Sequence, residues 1–318
     1  MEKVSFGWRI PAFPVDSSNA HEFKNQILSE LEIVQGAFDS AWISDHPIPW
    51  ADWQSPNTPN LEGWTALNYY SALYEKLNFG HVVLCNSYRN PALLAKMTST
   101  LSFLTGGRFI LGIGAGWKEG EYRSYGYDYP RPSVRIAQLE EGVQLIKRMW
   151  SEKRVTFHGK YFHVENVYCE PKPESVPPIM IGGGGERLTM KVAARYADWW
   201  NCPNLTVDQY AHKLEVLRRH CISVGRSYDD IRKVWLGAIA IASTEEEARD
   251  IVSKNPFLEA EQRFDANETT IIGTPEQVVE KLECFKDIGV DYFIFRFLDF
   301  PNTKGTKLFS NYVIKALR

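Results

Sequence analysis

Eight short apolar segments alternate with helix-like segments along this chain, and that alternation constrains the fold more than any other feature. The segments are predicted strands because each is hydrophobic on both faces, and they cover residues 4–10, 38–44, 79–84, 108–114, 177–182, 198–201, 234–242 and 291–297. Strands of this kind are typical of parallel sheets covered by helices. Eight strand–helix units predict an α/β fold, a (β/α)8 TIM barrel with insertions, built from residues 1–318 as a single domain.

An open, doubly wound sheet is the alternative arrangement of parallel strands. It needs a phosphate-binding glycine loop directly after the first strand, where this chain has Pro11-Ala-Phe-Pro14. The barrel is therefore favoured. Its predicted insertions are long loops at 46–62 and 115–132 and a hairpin at 154–165, and its predicted helices cover 18–35, 64–77, 90–107, 133–150, 206–222 and 274–287, with others starting near 186 and 244.

Charge and composition exclude several classes of function. A net charge of −3 gives no electrostatic basis for binding nucleic acid or an anionic membrane. The first ten residues, MEKVSFGWRI, lack the apolar core of a signal peptide, and no stretch approaches the roughly 18 apolar residues of a membrane span. Five cysteines without a C-x-x-C pair indicate reduced thiols. We therefore expect a cytoplasmic protein that acts on a small molecule.

Metal and covalent chemistry find little support in the residues. His158 and His163 are five apart in the predicted hairpin, where polar surface side chains are common, so no metal site is predicted. The chain has no G-x-S-x-G nucleophile motif, and no sequence motif identifies one of its cysteines as a nucleophile.

The predicted strands end on a polar and glycine-rich set of residues, and in a TIM barrel the active site gathers where strands end. The set is Asp45-His46, Cys85-Asn86, Gly114-Ala115-Gly116-Trp117, Gly182–Gly185, Asn201-Cys202 and Arg296. On top of an apolar barrel it predicts a site for a flat ligand with an anionic tail. Gly114-Ala115-Gly116 does not extend to a dinucleotide-binding motif, because the next glycine, Gly120, comes one position late.

Four consecutive glycines, Gly182, Gly183, Gly184 and Gly185, lead from a strand into a predicted helix start at Glu186-Arg187. Glycine lets the backbone approach a ligand closely, and free amides at a helix N-terminus bind phosphate. The other interpretation is a tight connection before a solvated basic face made by Arg187, Lys191 and Arg195. Because four glycines exceed what a tight connection needs, we favour a phosphate site on the amides of residues 183–186, with added positive charge from Arg187.

The segment Trp42-Ile-Ser-Asp-His-Pro-Ile-Pro-Trp50 begins like a buried strand and then places an acid beside an imidazole. Histidine is the side chain whose charge changes near neutral pH, which suits proton transfer. Neighbours on a strand point to opposite sides, so the two side chains share the barrel mouth only if the chain turns at Pro47. The alternative is a loop histidine beside an aspartate that caps the turn, and the residues alone leave both open.

Taken together, these motifs resemble the bacterial luciferase-like monooxygenase superfamily, in particular its branch that uses the deazaflavin coenzyme F-420. The resemblance runs over essentially the whole chain. It rests on FDSAWISDHPIPW at 38–50, NPALLAKM at 90–97, GGRFILGIGAGWKEGEYRSYG at 106–126, PPIMIGGGGERLTMKVAARYADWWN at 177–201, and GTPEQV with GVDYFIFRF at 273–297.

The resemblance implies a barrel that holds the coenzyme ring in its mouth, with a catalytic Asp45-His46 pair and Trp50 nearby. It implies a coenzyme phosphate at the glycine segment and a ring lined by Asn86 and by Gly114, Ala115 and Gly116. It also implies a non-proline cis peptide behind the ring, at Val82-Val83. Dimers are usual in this family, so a homodimer is expected.

One departure limits what the resemblance implies about the substrate. Sugar-phosphate dehydrogenases of this branch carry a glutamate directly after the Gly-x-Gly of strand four, where this chain has Trp117. Glu119 or Glu121 are the available substitutes, and the sequence does not decide between them. A sugar-phosphate substrate is therefore not predicted.

The sequence thus predicts a deazaflavin-dependent oxidoreductase that transfers a hydride between coenzyme F-420 and a small organic substrate. Trp50, Trp117 and Arg296 are the predicted substrate pocket. The rival prediction is an FMN-dependent monooxygenase on the same barrel, supplied with reduced flavin by a separate reductase. A third is a flavin-binding protein without turnover.

Overall fold

Eight parallel strands close into the predicted barrel in this computed structural model, which describes residues 3–51, 53–256 and 266–318. The strands of the chain are β1 (Ser5–Arg9), β2 (Ser40–Ile43), β3 (Asn78–His81), β4 (Leu84–Cys85), β5 (Phe109–Gly114), β6 (Val155–His158), β7 (His163–Val167), β8 (Ile179–Gly182), β9 (Trp199–Pro203), β10 (Arg232–Ile241), β11 (Ile271–Gly273) and β12 (Tyr292–Phe297). The barrel order is β1-β2-β3-β5-β8-β9-β10-β12, with β12 pairing back onto β1. The strand ends that were predicted to carry the site therefore meet at one mouth.

Helices cover the outside of the barrel. They are α1 (Ala20–Val34), α2 (Gly63–Leu73), α3 (Pro91–Leu104), α4 (Glu119–Ser124), α5 (Pro132–Ser151), α6 (Thr189–Tyr196), α7 (Val207–Val224), α8 (Glu245–Ser253), Ala266–Thr269, Pro275–Asp287, Lys304–Leu308 and Ile314–Leu317, with a π-helical turn at Phe309–Val313. The predicted cap at Asn90 is present, because its side chain accepts from two amides of the first turn of α3.

Three local predictions are wrong. The loop predicted at 115–132 contains helix α4, whose six residues are too few to show a period. The helix predicted from Glu186 begins at Thr189, since residues 186–188 form a turn. The short strand β11 was not predicted, and it pairs with β10 at the edge of the sheet. The predicted hairpin is present as β6 and β7, with His158 opposite His163.

Trp42 fills the barrel interior and explains two glycines of neighbouring strands. Its indole is fully buried, and a Cβ added at Gly7 or Gly80 would come within 2.5 or 2.3 Å of indole atoms. The indole Nε1 donates to Ser40 Oγ at 2.6 Å. The interior cluster around it draws on most barrel strands and comprises Trp42, Val82, Ile110, Met180, Val234, Leu236, Tyr292 and Ile294.

Across residues 3–51, 53–256 and 266–318, no helix is long and apolar enough to span a bilayer. In the same part of the chain, no three His, Cys, Asp or Glu side chains are grouped so as to hold a metal ion.

Candidate active site

Asp45 lies just after β2, and protein groups occupy its carboxylate. Arg89 donates to its two oxygens at 2.7 and 2.8 Å, and the Cys85 amide donates at 2.9 Å. Burial raises the pKa of Asp45, while the hydrogen bonds from Arg89 act against that rise. Asp45 therefore ties the end of β2 to the segment after β4. These contacts give it a structural task, and the catalytic and coenzyme-binding roles of Asp45 stay predictions.

His46 lies between two of the predicted pocket residues. Its ring centroid is 6.4 Å from that of Trp50 and 5.8 Å from that of Trp117. Its Nδ1 is 2.7 Å from Glu121 Oε1, and its backbone oxygen accepts from Asn60 Nδ2 at 2.6 Å. No residue that the structure describes bonds to Nε2, and the side chain keeps 17% of its surface exposed. His46 is thus a fixed imidazole with one nitrogen available to a ligand.

The structure separates the two glutamates that the sequence left equivalent. Glu121 is 1% exposed, and its second oxygen accepts from the Tyr88 hydroxyl at 3.0 Å. Glu119, one turn of α4 away from Arg123, pairs with that guanidinium in solvent at 2.6 Å. Only Glu121 belongs to the site.

Val83, which is part of the predicted wall behind the coenzyme ring, packs against the glycines at the ends of two strands. The Val82-Val83 peptide bond is cis, as predicted. A Cβ at Gly114 or at Gly182 would each lie 2.8 Å from a methyl group of Val83. Val83 therefore lies between the ends of β5 and β8, and its packing is one reason that both positions are glycine.

Gly116 is required by the protein around it. Its φ of +75° is in the left-handed region, and a Cβ there would lie 2.0 Å from Tyr122 Oη and 2.5 Å from Cys85 Sγ. The Tyr122 hydroxyl bonds to Cys85 Sγ at 3.0 Å and to the Ala115 oxygen at 3.3 Å. Burial raises the pKa of Cys85 to about 11, so its thiol stays protonated and unreactive.

Asn86, predicted to line the coenzyme ring, packs its side chain against helix α5. It is buried, and its Oδ1 lies 2.6 Å from where a Cβ would stand on Gly142 of α5. The side chain therefore packs toward that helix, and the ring contact of Asn86 stays a prediction.

The glycine segment is partly engaged by the protein itself. The Gly183 amide donates to Asn201 O at 2.9 Å, which removes it from the predicted phosphate site. A Cβ at Gly184 would lie 2.6 Å from Cys202 Sγ, and one at Gly185 would lie 2.9 Å from Thr189 Oγ1. The amides of residues 184–186 have no hydrogen-bond partner among the described residues, and these remain for a phosphate.

Helix α7 brings cationic and titratable side chains to this segment. Lys213 Nζ donates to Gly184 O at 3.1 Å and to Glu186 Oε1 at 2.6 Å, and His212 Nε2 lies 3.0 Å from the same oxygen. These contacts, Lys213 first, lower the pKa of Glu186. Arg187 is exposed in the turn before α6. Lys213 is therefore a cation beside the glycines, and the added charge from Arg187 stays a prediction.

A small cavity of about 30 Å³ lies at the ends of β1, β2 and β12. Two predicted pocket residues line it together with Arg9, and the guanidinium carbons of Arg9 and Arg296 lie 6.0 and 5.7 Å from the centre of the Trp50 ring. The lining is Arg9, Ile10, Pro11, Ala12, Phe13, Val15, Ser44, Trp50, Asn255, Arg296, Phe297 and Phe300. Trp50 thus separates this cavity from His46.

A family model of luciferase-like monooxygenases matches residues 6–292 of the chain, which include His46, Glu121 and the glycine segment. The chain belongs to the luciferase-like monooxygenase family. The predicted family and barrel are both confirmed.

Relatives that depend on two different coenzymes are similar to this chain. The chain is 27% identical over 282 residues to an FMNH(2)-dependent dimethylsulfone monooxygenase of Pseudomonas putida, covering 78% of this chain and 76% of that one. It is 34% identical over 219 residues to an F-420-dependent glucose-6-phosphate dehydrogenase of Kineococcus radiotolerans, covering 67% and 64%. An F-420-dependent secondary alcohol dehydrogenase, solved with an F-420–acetone adduct, has a TM-score of 0.82 over 100% of both chains at 20% identity, a likeness of fold.

Proposed function

We propose that this luciferase-like protein is an oxidoreductase that binds coenzyme F-420 and transfers a hydride between it and a small organic substrate. The observation that supports it is His46, a fixed imidazole with Nε2 available, between Trp50 and Trp117. Hydride transfer to or from an alcohol carbon needs a partner for one proton, and imidazole is suited to that exchange near neutral pH.

The residues present fit such a coenzyme. When bound, the deazaflavin would supply the hydride chemistry. The free amides of residues 184–186 and the Lys213 ammonium would hold its phosphate, and Val83 and Gly114 would stand behind its ring. Trp117 is 53% exposed beside His46, so a ring placed there would gain apolar contact. Trp50 and Trp117 would then exclude water from His46.

A titration of the purified protein with F-420, followed by absorbance and fluorescence, tests the proposal. Saturable binding is expected, and so is reduction of the bound coenzyme by one member of a panel of small alcohols, seen as loss of its visible absorbance. Failure to bind F-420 would contradict the proposal.

An FMN-dependent monooxygenase is the second candidate, because a dimethylsulfone monooxygenase is among the relatives and Trp117 replaces the glutamate of the sugar-phosphate dehydrogenases. It would need reduced FMN from a separate reductase. Incorporation of an oxygen atom from O2 into an organic substrate with reduced FMN, measured beside the F-420 titration, decides between the two. We also propose the homodimer usual in this family, which light scattering of the purified protein tests.

A further inference from the structure

We infer that Glu121, held in place by Tyr88, is the positioning residue that fixes the His46 ring so that Nε2 is its proton-exchanging nitrogen. The kinetic part of this inference rests on the proposed function, and the spectroscopic part does not. The sequence alone does not indicate that Glu121 or Tyr88 fixes the His46 ring.

The Glu121 carboxylate faces the inner nitrogen of the imidazole. Its Oε1 lies 2.7 Å from His46 Nδ1, and the glutamate side chain keeps only 2% of its surface exposed. A carboxylate only accepts hydrogen bonds, so the short contact requires a proton on Nδ1. In the neutral ring that proton leaves Nε2 as the lone-pair nitrogen.

Tyr88 fixes the second oxygen of the same carboxylate. Its hydroxyl donates to Glu121 Oε2 at 3.0 Å. Burial, and next the Glu121 charge, raise the pKa of Tyr88, so the phenol remains a donor across the physiological range. The Tyr88 ring also packs against Tyr122 and Tyr127, with centroids at 5.2 and 5.0 Å. Both oxygens of the Glu121 carboxylate are thus engaged, and the group cannot rotate away from His46 without losing a hydrogen bond.

Other charged groups around His46 are already engaged. Lys118 Nζ, on the segment that carries Trp117, donates to Trp50 O at 2.5 Å. Asp45, the residue before His46 in the chain, is paired with Arg89. Tyr125 reaches Pro47 O at 3.3 Å. Within the described residues, Glu121 is therefore the anion in direct contact with the ring.

With Glu121 behind it, His46 can exchange the proton that oxidation of an alcohol releases. With the coenzyme bound, it would take the hydride of the alcohol carbon, and His46 Nε2 would take the hydroxyl proton as the carbonyl forms. The imidazolium so produced would carry its charge beside the buried Glu121 carboxylate, which compensates it. In the reverse direction Nε2 returns the proton to the carbonyl oxygen. An orienting carboxylate behind a histidine base is a recurrent solution to this problem.

Nitrogen-15 NMR of histidine-labelled protein, without coenzyme, tests the positioning directly. The His46 signals are those lost in His46→Gln. The wild type and the control Glu119→Gln, an exposed glutamate of the same helix, should show the neutral ring protonated on Nδ1. Glu121→Gln should move the ring toward the Nε2-protonated tautomer, since an amide can donate as well as accept. An unchanged tautomer in folded Glu121→Gln would overturn the inference.

Turnover of a working alcohol with F-420 supplies the second measurement. Glu121→Gln should lower kcat on the order of 100-fold while KM changes little. Glu121→Asp, which keeps the charge, should recover at least a tenth of the wild-type rate, and Tyr88→Phe should fall between. Equal losses in the Asp and Gln variants would show a merely structural role. If F-420 does not bind at all, the proposed function fails, while the NMR result still decides the inference.

Discussion

At the scale of single residues, two adjacent side chains at the end of β2 have different partners and different roles. Strand geometry sends neighbours to opposite sides, and here Asp45 reaches Arg89 while His46 reaches Glu121. The acid therefore holds the strand end in place, and the imidazole remains at the mouth. An Asp-His pair in a sequence does not by itself mean that both residues take part in chemistry.

Removing the His46 imidazole should abolish most of the turnover and spare the coenzyme. His46→Ala is expected to lower kcat on the order of 100-fold or more, because no other described imidazole lies beside both Trp50 and Trp117, while the F-420 affinity changes only several-fold. The control is His163→Ala, an exposed histidine of the hairpin. Steady-state kinetics and a coenzyme titration measure both. Turnover within a few-fold of wild type would make His46 an ordinary loop residue.

How much of the site the sequence could predict follows from distance along the chain. His46 and Trp50 share one motif and were found together. Glu121 was named as a candidate acid, but its contact with His46 spans 75 positions, and no local pattern records such a pairing. The same holds for Lys213, which lies 29 positions after the glycine whose carbonyl it bonds.

At the scale of elements, β3 can approach β2 around Trp42 only because Gly80 has no side chain. Gly80→Ala would place a methyl carbon 2.3 Å from the indole, and overpacking of this kind costs about 1–3 kcal/mol. Urea unfolding should show that loss in the free energy of unfolding. Gly120→Ala is the control, since nothing lies within 4 Å of its added methyl. Equal stability of the two variants would mean that the barrel interior yields more readily than its packing indicates.

Helix α1 carries a buried acid against the C-terminal helices. Glu30 is 1% exposed, and burial raises its pKa from 4.5 to about 7, with the Thr306 hydroxyl opposing the rise and Asp299 adding to it. Between those pH values the folded chain keeps a proton that the unfolded chain releases. Stability from this group therefore falls as pH rises from 4.5 to 7, then levels off.

Glu30→Gln should remove that loss. Relative to wild type, the variant is expected to gain up to about 3 kcal/mol in the free energy of unfolding at pH 8, and much less at pH 5. Urea unfolding at the two pH values measures the difference. Glu32→Gln, an exposed glutamate of the same helix, is the control. A gain of the same size at both pH values would show that Glu30 is already ionised in the folded protein at pH 5.

Elements with a clear period were predicted well, and short ones were not. The barrel strands were found within a few residues because runs that are apolar on both faces distinguish buried parallel strands. Helix α4 has six residues and a glycine in its second position, and β11 has three residues. Segments of that length carry no period, so their structure depends on neighbours that the sequence does not place.

At the scale of the whole molecule, barrel closure turns six separate sequence motifs into one mouth. The residues at the ends of β2, β5 and β8 come together because those strands are neighbours or near neighbours in the closed sheet. A ligand that bridges them binds only the folded chain. The free energy of binding therefore adds to the free energy of unfolding.

Coenzyme F-420 should consequently raise the melting temperature. At 100 times its Kd the added stability is about 2.7 kcal/mol, which corresponds to roughly 5 °C for a chain of this size.

Lys213→Gln should reduce this shift strongly, because the Lys213 ammonium lies beside the glycine segment. It should change the ligand-free melting temperature little, since the ion pair with Glu186 is partly exposed. Arg219→Gln, on the outer face of the same helix, should keep the full shift. Differential scanning fluorimetry with F-420 and, separately, FMN measures all three proteins. A shift with FMN alone would favour the monooxygenase, and a full shift in Lys213→Gln would place the phosphate away from Gly184.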